Sequence, residues 1–228
     1  MIEPDDQEAS TTSSRLRHGS LLLLGLAVAY SPSYINVALG LAGVEWEFTK
    51  GPPSVLLWNW LAVAVLLVFI LKVEGRGLGS IALRRPSGRD IQWAVMFWAV
   101  STVASGMLHQ FLPPPPSTGM ATVLQLSLLT ILALVFTTAV TEEVLFRGYS
   151  IERLSELTGY RPLAVAVSFG LFVLPHVAFF GVQWLLYHGL GVVLLYVLYV
   201  WRRNLWACMI MHLLGNALLL IPALGLAD

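Results

Sequence analysis

The chain has 228 residues, 57% of them hydrophobic and only 11% charged, with a formal net charge of zero. That charged share is roughly half the usual one, and a soluble domain of this make-up would expose apolar patches far larger than the order of a few hundred Å² normal for such proteins. The balanced charge offers no basic surface for nucleic acid, and the single cysteine, Cys208, excludes an internal disulfide and a cysteine metal cluster.

Residues 1–18 are polar and rich in Ser and Thr, and are expected to form a disordered cytoplasmic tail. Beyond them, no Asp, Glu, Lys or Arg occurs in the runs 19–44, 51–71, 91–141, 162–201 and 204–227. A bilayer core about 30 Å thick needs about 20 apolar residues in a helix. The first, second and last runs therefore hold one span each. The third is too long for one span and is broken by Pro113–Pro116, and the fourth divides near Gly181-Val182-Gln183. Seven spans follow, over 20–42, 53–71, 91–111, 120–141, 162–181, 184–201 and 204–225. The first is longer than the apolar core of a cleaved signal peptide and is read as a retained helix, kinked at Pro32. The fold class is thus an all-α, polytopic membrane bundle.

With the N-terminus in the cytoplasm, Arg15, Arg17, Lys72, Arg76, Arg84, Arg85, Arg89, Arg147, Arg153, Arg161, Arg202 and Arg203 fall inside and only Lys50 falls outside. This is a strong positive-inside pattern and predicts an N-in, C-out topology. Strongly polar residues near membrane depth concentrate in the last four spans. The expected organisation is a tail (1–18), variable N-terminal helices (19–118) and a chemistry-bearing core (119–228). No internal repeat appears, and neither a Walker nor a dinucleotide glycine motif is present.

Three segments carry chemistry. The first is Glu142-Glu143-Val144-Leu145-Phe146-Arg147, at the expected end of the fourth span. Glu143 and Arg147 are four residues apart in the order that favours a helical ion pair. Glu142 points about 100° away with no partner at that spacing; desolvation there suits it to general-base work. The second is Phe172-Val173-Leu174-Pro175-His176. Phe172 lies one turn before His176 on the same face, and Pro175 frees the carbonyl of Leu171. The third is His212-Leu213-Leu214-Gly215-Asn216, whose His212 and Asn216 share a face and can aim two donors at one point, as an oxyanion hole requires. Taken singly, each segment also reads as an interface charge pair, a buried neutral histidine or interhelical polar glue. Together they place a carboxylate, two histidines and an amide on three helices at helical spacing.

In this order the motifs Glu-Glu-x-x-x-Arg, Phe-x-x-x-His and His-x-x-x-Asn resemble those of the CAAX protease and bacteriocin-processing (Abi) family, over about residues 120–228. The resemblance implies an intramembrane endopeptidase of the glutamate type, similar to the type 2 CAAX prenyl proteases. It implies that Glu142 and His176 activate a water, that His212 and Asn216 stabilise the oxyanion, and that Glu143, Arg147 and Phe172 support them. Prenyl proteases of this type have eight spans, whereas seven are counted here.

The expected reaction is hydrolysis of a peptide bond in a membrane-associated, prenylated or leader-bearing protein, without a cofactor. Its partners are the lipid bilayer and a protein or peptide substrate. The site is expected to open toward the cytoplasm, because Glu142 stands near that end of its predicted span. A zinc-dependent version would use Glu142, His176 and His212 as three ligands with water as the fourth, although no His-Glu-x-x-His occurs. Other classes are a non-catalytic bacteriocin-immunity or regulatory scaffold and a transporter, the latter without the repeat such folds usually show. Short connecting loops point to a bacterial inner membrane.

Overall fold

Each apolar run of the sequence folds as a helix, and among the described residues seven helices are long and apolar enough to cross a membrane. The structure, a computed structural model, describes residues 4–46 and 51–226. In chain order the helices are α1 (Pro4–Leu41), α2 (Pro52–Val68), α3 (Gly88–Phe111), α4 (Thr118–Leu124), α5 (Leu128–Glu142), α6 (Glu152–Thr158), α7 (Arg161–Phe180), α8 (Trp184–Arg202), α9 (Leu205–Ala217) and the short α10 (Leu220–Ala223). No strand occurs among the described residues. α1 begins within the stretch expected as a disordered tail, and Lys50 lies outside the described residues.

Starts and stops follow local chemistry. Pro52 and Pro53 open α2 at positions where a missing N–H costs nothing. Ser87 and Asp90 form a reciprocal capping box at the start of α3. Asn204 caps α9 through the Ala207 N–H at 3.1 Å. α6 ends at Gly159, whose φ of 68° is the left-handed cap that glycine adopts freely.

The fourth span differs from expectation. α4 is a separate short helix, and α5 does not stop at Thr141. It runs on through a π-helical segment, Glu143–Ile151, into α6, giving one helix from Leu128 to Thr158, 31 residues long. Glu142 therefore stands near the middle of a helix rather than at its cytoplasmic end. Arg147, counted above as a loop charge, is fully buried. The charge-free criterion misses the continuation because these charges are neutralised inside the bundle, Arg147 by Glu143 one turn away and Glu152 and Arg153 by distant partners.

α5 with its π continuation is the axis of the bundle. α2 packs on one side of it and α9 on another, α1 lies against α2 and the π segment, and α3 lies against α8 and α9. The polarity is inverted relative to a soluble protein. Leu129, Val103 and Leu174 are 77%, 61% and 58% exposed, whereas Glu143, Arg147, Thr141 and Ser168 are at 0%. Apolar side chains face the lipid, and the buried polar groups must find partners within the protein.

At one end of the bundle those partners form a belt. Arg153 pairs with Glu74 at 2.5 Å, and Arg76 with Glu156 at 2.6 Å; the latter hydrogen bond raises the pKa of the Arg76 guanidinium above its ordinary value. Glu152 receives Tyr199 Oη at 2.8 Å and Arg203 at 2.7 Å. Asp90 receives Arg202 at 2.7 Å. Arg84 donates to the carbonyls of Arg202 and Arg203 at 2.6 and 2.7 Å, satisfying the end of α8. Residues 74–90, 152–161 and 202–205 are thus gathered at the same end, as an even number of crossings between them requires.

The belt dictates one close approach. Tyr149 donates to Glu74 Oε1 at 2.9 Å, and its hydroxyl occupies the space where a Cβ on Gly25 of α1 would stand. Gly25→Ala is expected to cost about 1–3 kcal/mol, as overpacking does elsewhere. Thermal unfolding in lipid nanodiscs checks this; an unchanged midpoint would mean that α1 has room at this level.

Candidate active site

The motif residues meet where the chain changes its winding. α-Helical bonding ends at Glu142 and π bonding takes over at Glu143. Such wide turns are rare and occur frequently at functional sites. Here the change leaves Glu142 and Glu143 in different surroundings.

Glu143 is the structural anchor. Its Oε1 accepts from Arg147 Nη1 at 2.9 Å and from His212 Nδ1 at 2.7 Å. The Arg147 guanidinium lies between two rings, 4.0 Å from the centroid of Phe172 and 4.3 Å from that of Tyr196, an arrangement in which aromatic faces replace water around a buried cation. The pairing of Glu143 with Arg147 is the one expected from spacing, and the structure adds His212 to it.

Glu142 has a different setting. Its side chain is 14% exposed, His212 Nε2 stands 3.9 Å from its Oε2, and that oxygen is buried with no hydrogen-bond partner. Glu143 Oε2 and Arg147 Nε and Nη2 are likewise buried without a partner. Four such atoms in one layer form a polar patch of the kind that ordered water satisfies inside proteins.

His176 is held from three sides. Its Nδ1 lies 2.8 Å from the Phe172 carbonyl, so that nitrogen carries the proton and Nε2 is left as an acceptor. Its ring packs against Phe172 at 4.5 Å and stacks on Trp184 of α8 at 4.6 Å and 25°. Phe172 also lies edge-on to His212 at 6.4 Å. The two histidines therefore share one aromatic neighbour and lie on the same side of the bundle.

Asn216 differs from the simplest expectation. Its Nδ2 donates to Thr138 Oγ1 at 2.9 Å, and Thr138 stands one turn before Glu142 on α5. His212 Nδ1 is engaged by Glu143. The two residues thus do not aim all their donors at one point, and the N–H groups left over are the second one on Asn216 and, when the ring is charged, that on His212 Nε2.

The structure joins Glu142, Glu143, Arg147 and His212 directly, joins His176 through Phe172, and joins Asn216 through Thr138. Sequence reasoning passed over Thr138, Trp184 and Asn59, which donates to Thr141 Oγ1 at 3.0 Å. Thr138 had a signal, its i,i+4 spacing from Glu142; Trp184 and Asn59 reach the site only through tertiary packing. Among the described residues no group of three His, Cys, Asp or Glu is placed to hold a metal ion. A groove of about 570 Å³ between α7 and α8 is lined by Arg161, Phe169, Tyr196 and Trp201 among others; of these, Tyr196 also lies over the Arg147 guanidinium.

Fold and site together define an integral membrane helical bundle whose C-terminal helices gather an acid–imidazole–amide cluster within the protein. Residues 124–218 match the family model described as "Type II CAAX prenyl endopeptidase Rce1-like". Comparison with the curated proteins and with the solved structures gave no match. The match over residues 124–218 supports, at the level of the family, the class of CAAX-type intramembrane endopeptidases.

Proposed function

We propose that the chain hydrolyses a peptide bond of a membrane-associated substrate with a water activated by Glu142 and His176. The observation that carries this reading is the unpartnered, buried Oε2 of Glu142 beside His212 Nε2. A water between Glu142 and His176 gives one proton to the Glu142 carboxylate and a hydrogen bond to His176 Nε2. Its oxygen attacks the scissile carbonyl. The charge that develops on the carbonyl oxygen is met by Asn216 and by the His212 imidazolium, which donates from Nδ1 to Glu143 and from Nε2 into the site. Collapse of the tetrahedral species breaks the C–N bond, and Glu142 returns its proton to the leaving amine. Glu143, Arg147 and Phe172 hold the geometry.

The charge belt is read as the cytoplasmic end, giving the N-in, C-out topology, and residues 119–228 are read as the catalytic core. A prenylated CAAX peptide is the first substrate class to try, because the family description names it; leader-bearing and membrane-anchored tails come next. The proposed home is a bacterial inner membrane. Membrane proteomes of cells carrying the natural chain and its Glu142→Ala variant test the reading: an uncleaved precursor accumulates in the variant. A non-catalytic immunity or regulatory scaffold predicts identical proteomes and retained function.

The reading needs no cofactor. A zinc version would use Glu142, His176 and His212 with a water as the fourth ligand. Cleavage is expected to persist after dialysis against a strong chelator and to gain nothing from added zinc. Loss on chelation and return with zinc would replace the water-only mechanism with the metal one.

A further inference from the structure

Pro175 has no N–H, so the carbonyl four residues before it, that of Leu171, loses its helical donor in the middle of α7. In the apolar interior of a membrane protein such a carbonyl must find another partner. It finds one on α1: Tyr34 Oη donates to Leu171 O at 2.7 Å, across 137 residues of sequence. The turn closed by this bond, Leu171 to His176, carries both Phe172 and His176. The Phe172 carbonyl inside it accepts from His176 Nδ1 at 2.8 Å, and the Phe172 ring touches the Arg147 guanidinium at 4.0 Å.

We propose that Tyr34 is a positioning residue for the reaction: its hydroxyl fixes the Pro175 kink and thereby sets where His176 Nε2 faces the water. The first helix, which bears none of the three motifs, thus acts on the site through one hydrogen bond to a backbone oxygen. This rests on the hydrolytic reading above. Tyr34 donates to the backbone of the turn that carries His176, so its removal is expected to act on the turnover step rather than on substrate binding.

The test uses the full chain in nanodiscs with an internally quenched farnesylated CAAX peptide as the probe. kcat, KM and the thermal midpoint are measured for the natural chain, Tyr34→Phe, Pro175→Ala and the double variant. Tyr34→Phe is expected to lower kcat about tenfold, the size of one lost hydrogen bond, with KM unchanged. Pro175→Ala restores the N–H that Leu171 O lacks, so the fall in midpoint caused by Tyr34→Phe should vanish in that background, a non-additivity that marks a direct link. An unchanged kcat in Tyr34→Phe, or an equal fall in midpoint in both backgrounds, overturns the proposal. If the natural chain cleaves the probe and Glu142→Ala cleaves it equally well, the hydrolytic reading itself fails, and the positioning role fails with it. Loss of cleavage in Glu142→Ala beside normal kcat in Tyr34→Phe removes only the role of Tyr34.

Discussion

Glu142→Gln is expected to lower kcat by about 10³-fold, within the range a positioned general base contributes, while the protein remains folded. Glutamine keeps the shape of the side chain and removes only the capacity to take a proton. The Oε2 atom it replaces makes no hydrogen bond, so no protein hydrogen bond is lost. The thermal midpoint should hold or rise, because a buried oxygen without a partner is costly when charged. Initial rates on the quenched farnesylated peptide, read beside the midpoint in the same nanodiscs, separate the two effects. Retention of more than about a tenth of the activity would remove Glu142 from the role of base.

The largest effect on stability is expected at Arg147. Both it and Glu143 are 0% exposed, and their 2.9 Å contact lies at the centre of the bundle. Arg147→Met should cost about 3–5 kcal/mol, the range for removing one partner of a buried pair. It strands the Glu143 carboxylate with His212 alone and empties the slot between Phe172 and Tyr196. The double variant Arg147→Met/Glu143→Gln should recover part of that loss, since no unpaired charge then remains. Unfolding in a graded denaturing detergent measures both. Equal losses in the single and double variants would mean that the aromatic slot, not the charge, sets the cost.

Much of the architecture is legible in the sequence because lipid penalises charge so heavily. Runs free of Asp, Glu, Lys and Arg mark the helices, and the proline-rich break at Pro113–Pro116 separates two of them. Helical spacing shows the Glu143–Arg147 pair and the spare carbonyl at Leu171, both of which have the expected local geometry or partner. The charge-free criterion ends the fourth span at Thr141 because Glu152 and Arg153 resemble loop charges until their partners are known. Those partners come from elsewhere in the chain, Glu74 for Arg153 and Tyr199 and Arg203 for Glu152. Trp184 and Tyr34 escape a reading by motif for the same reason: their contacts to His176 and Leu171 are made in space and leave no spacing to count.

The nine-residue π stretch has a consequence for how the chain tolerates change in length. Bonding from each residue to the fifth beyond it winds the backbone more loosely than an α-helix, so the segment sets the angular offset between the glutamates above it and Glu152 and Arg153 below. Deleting any one residue between Val144 and Ser150 would favour ordinary winding and keep the helix almost as long. It would nevertheless rotate the lower half like a key turned in its lock, carrying Arg153 away from Glu74 and Glu152 away from Arg203. Along this one stretch, residue number is a constraint as strict as residue identity.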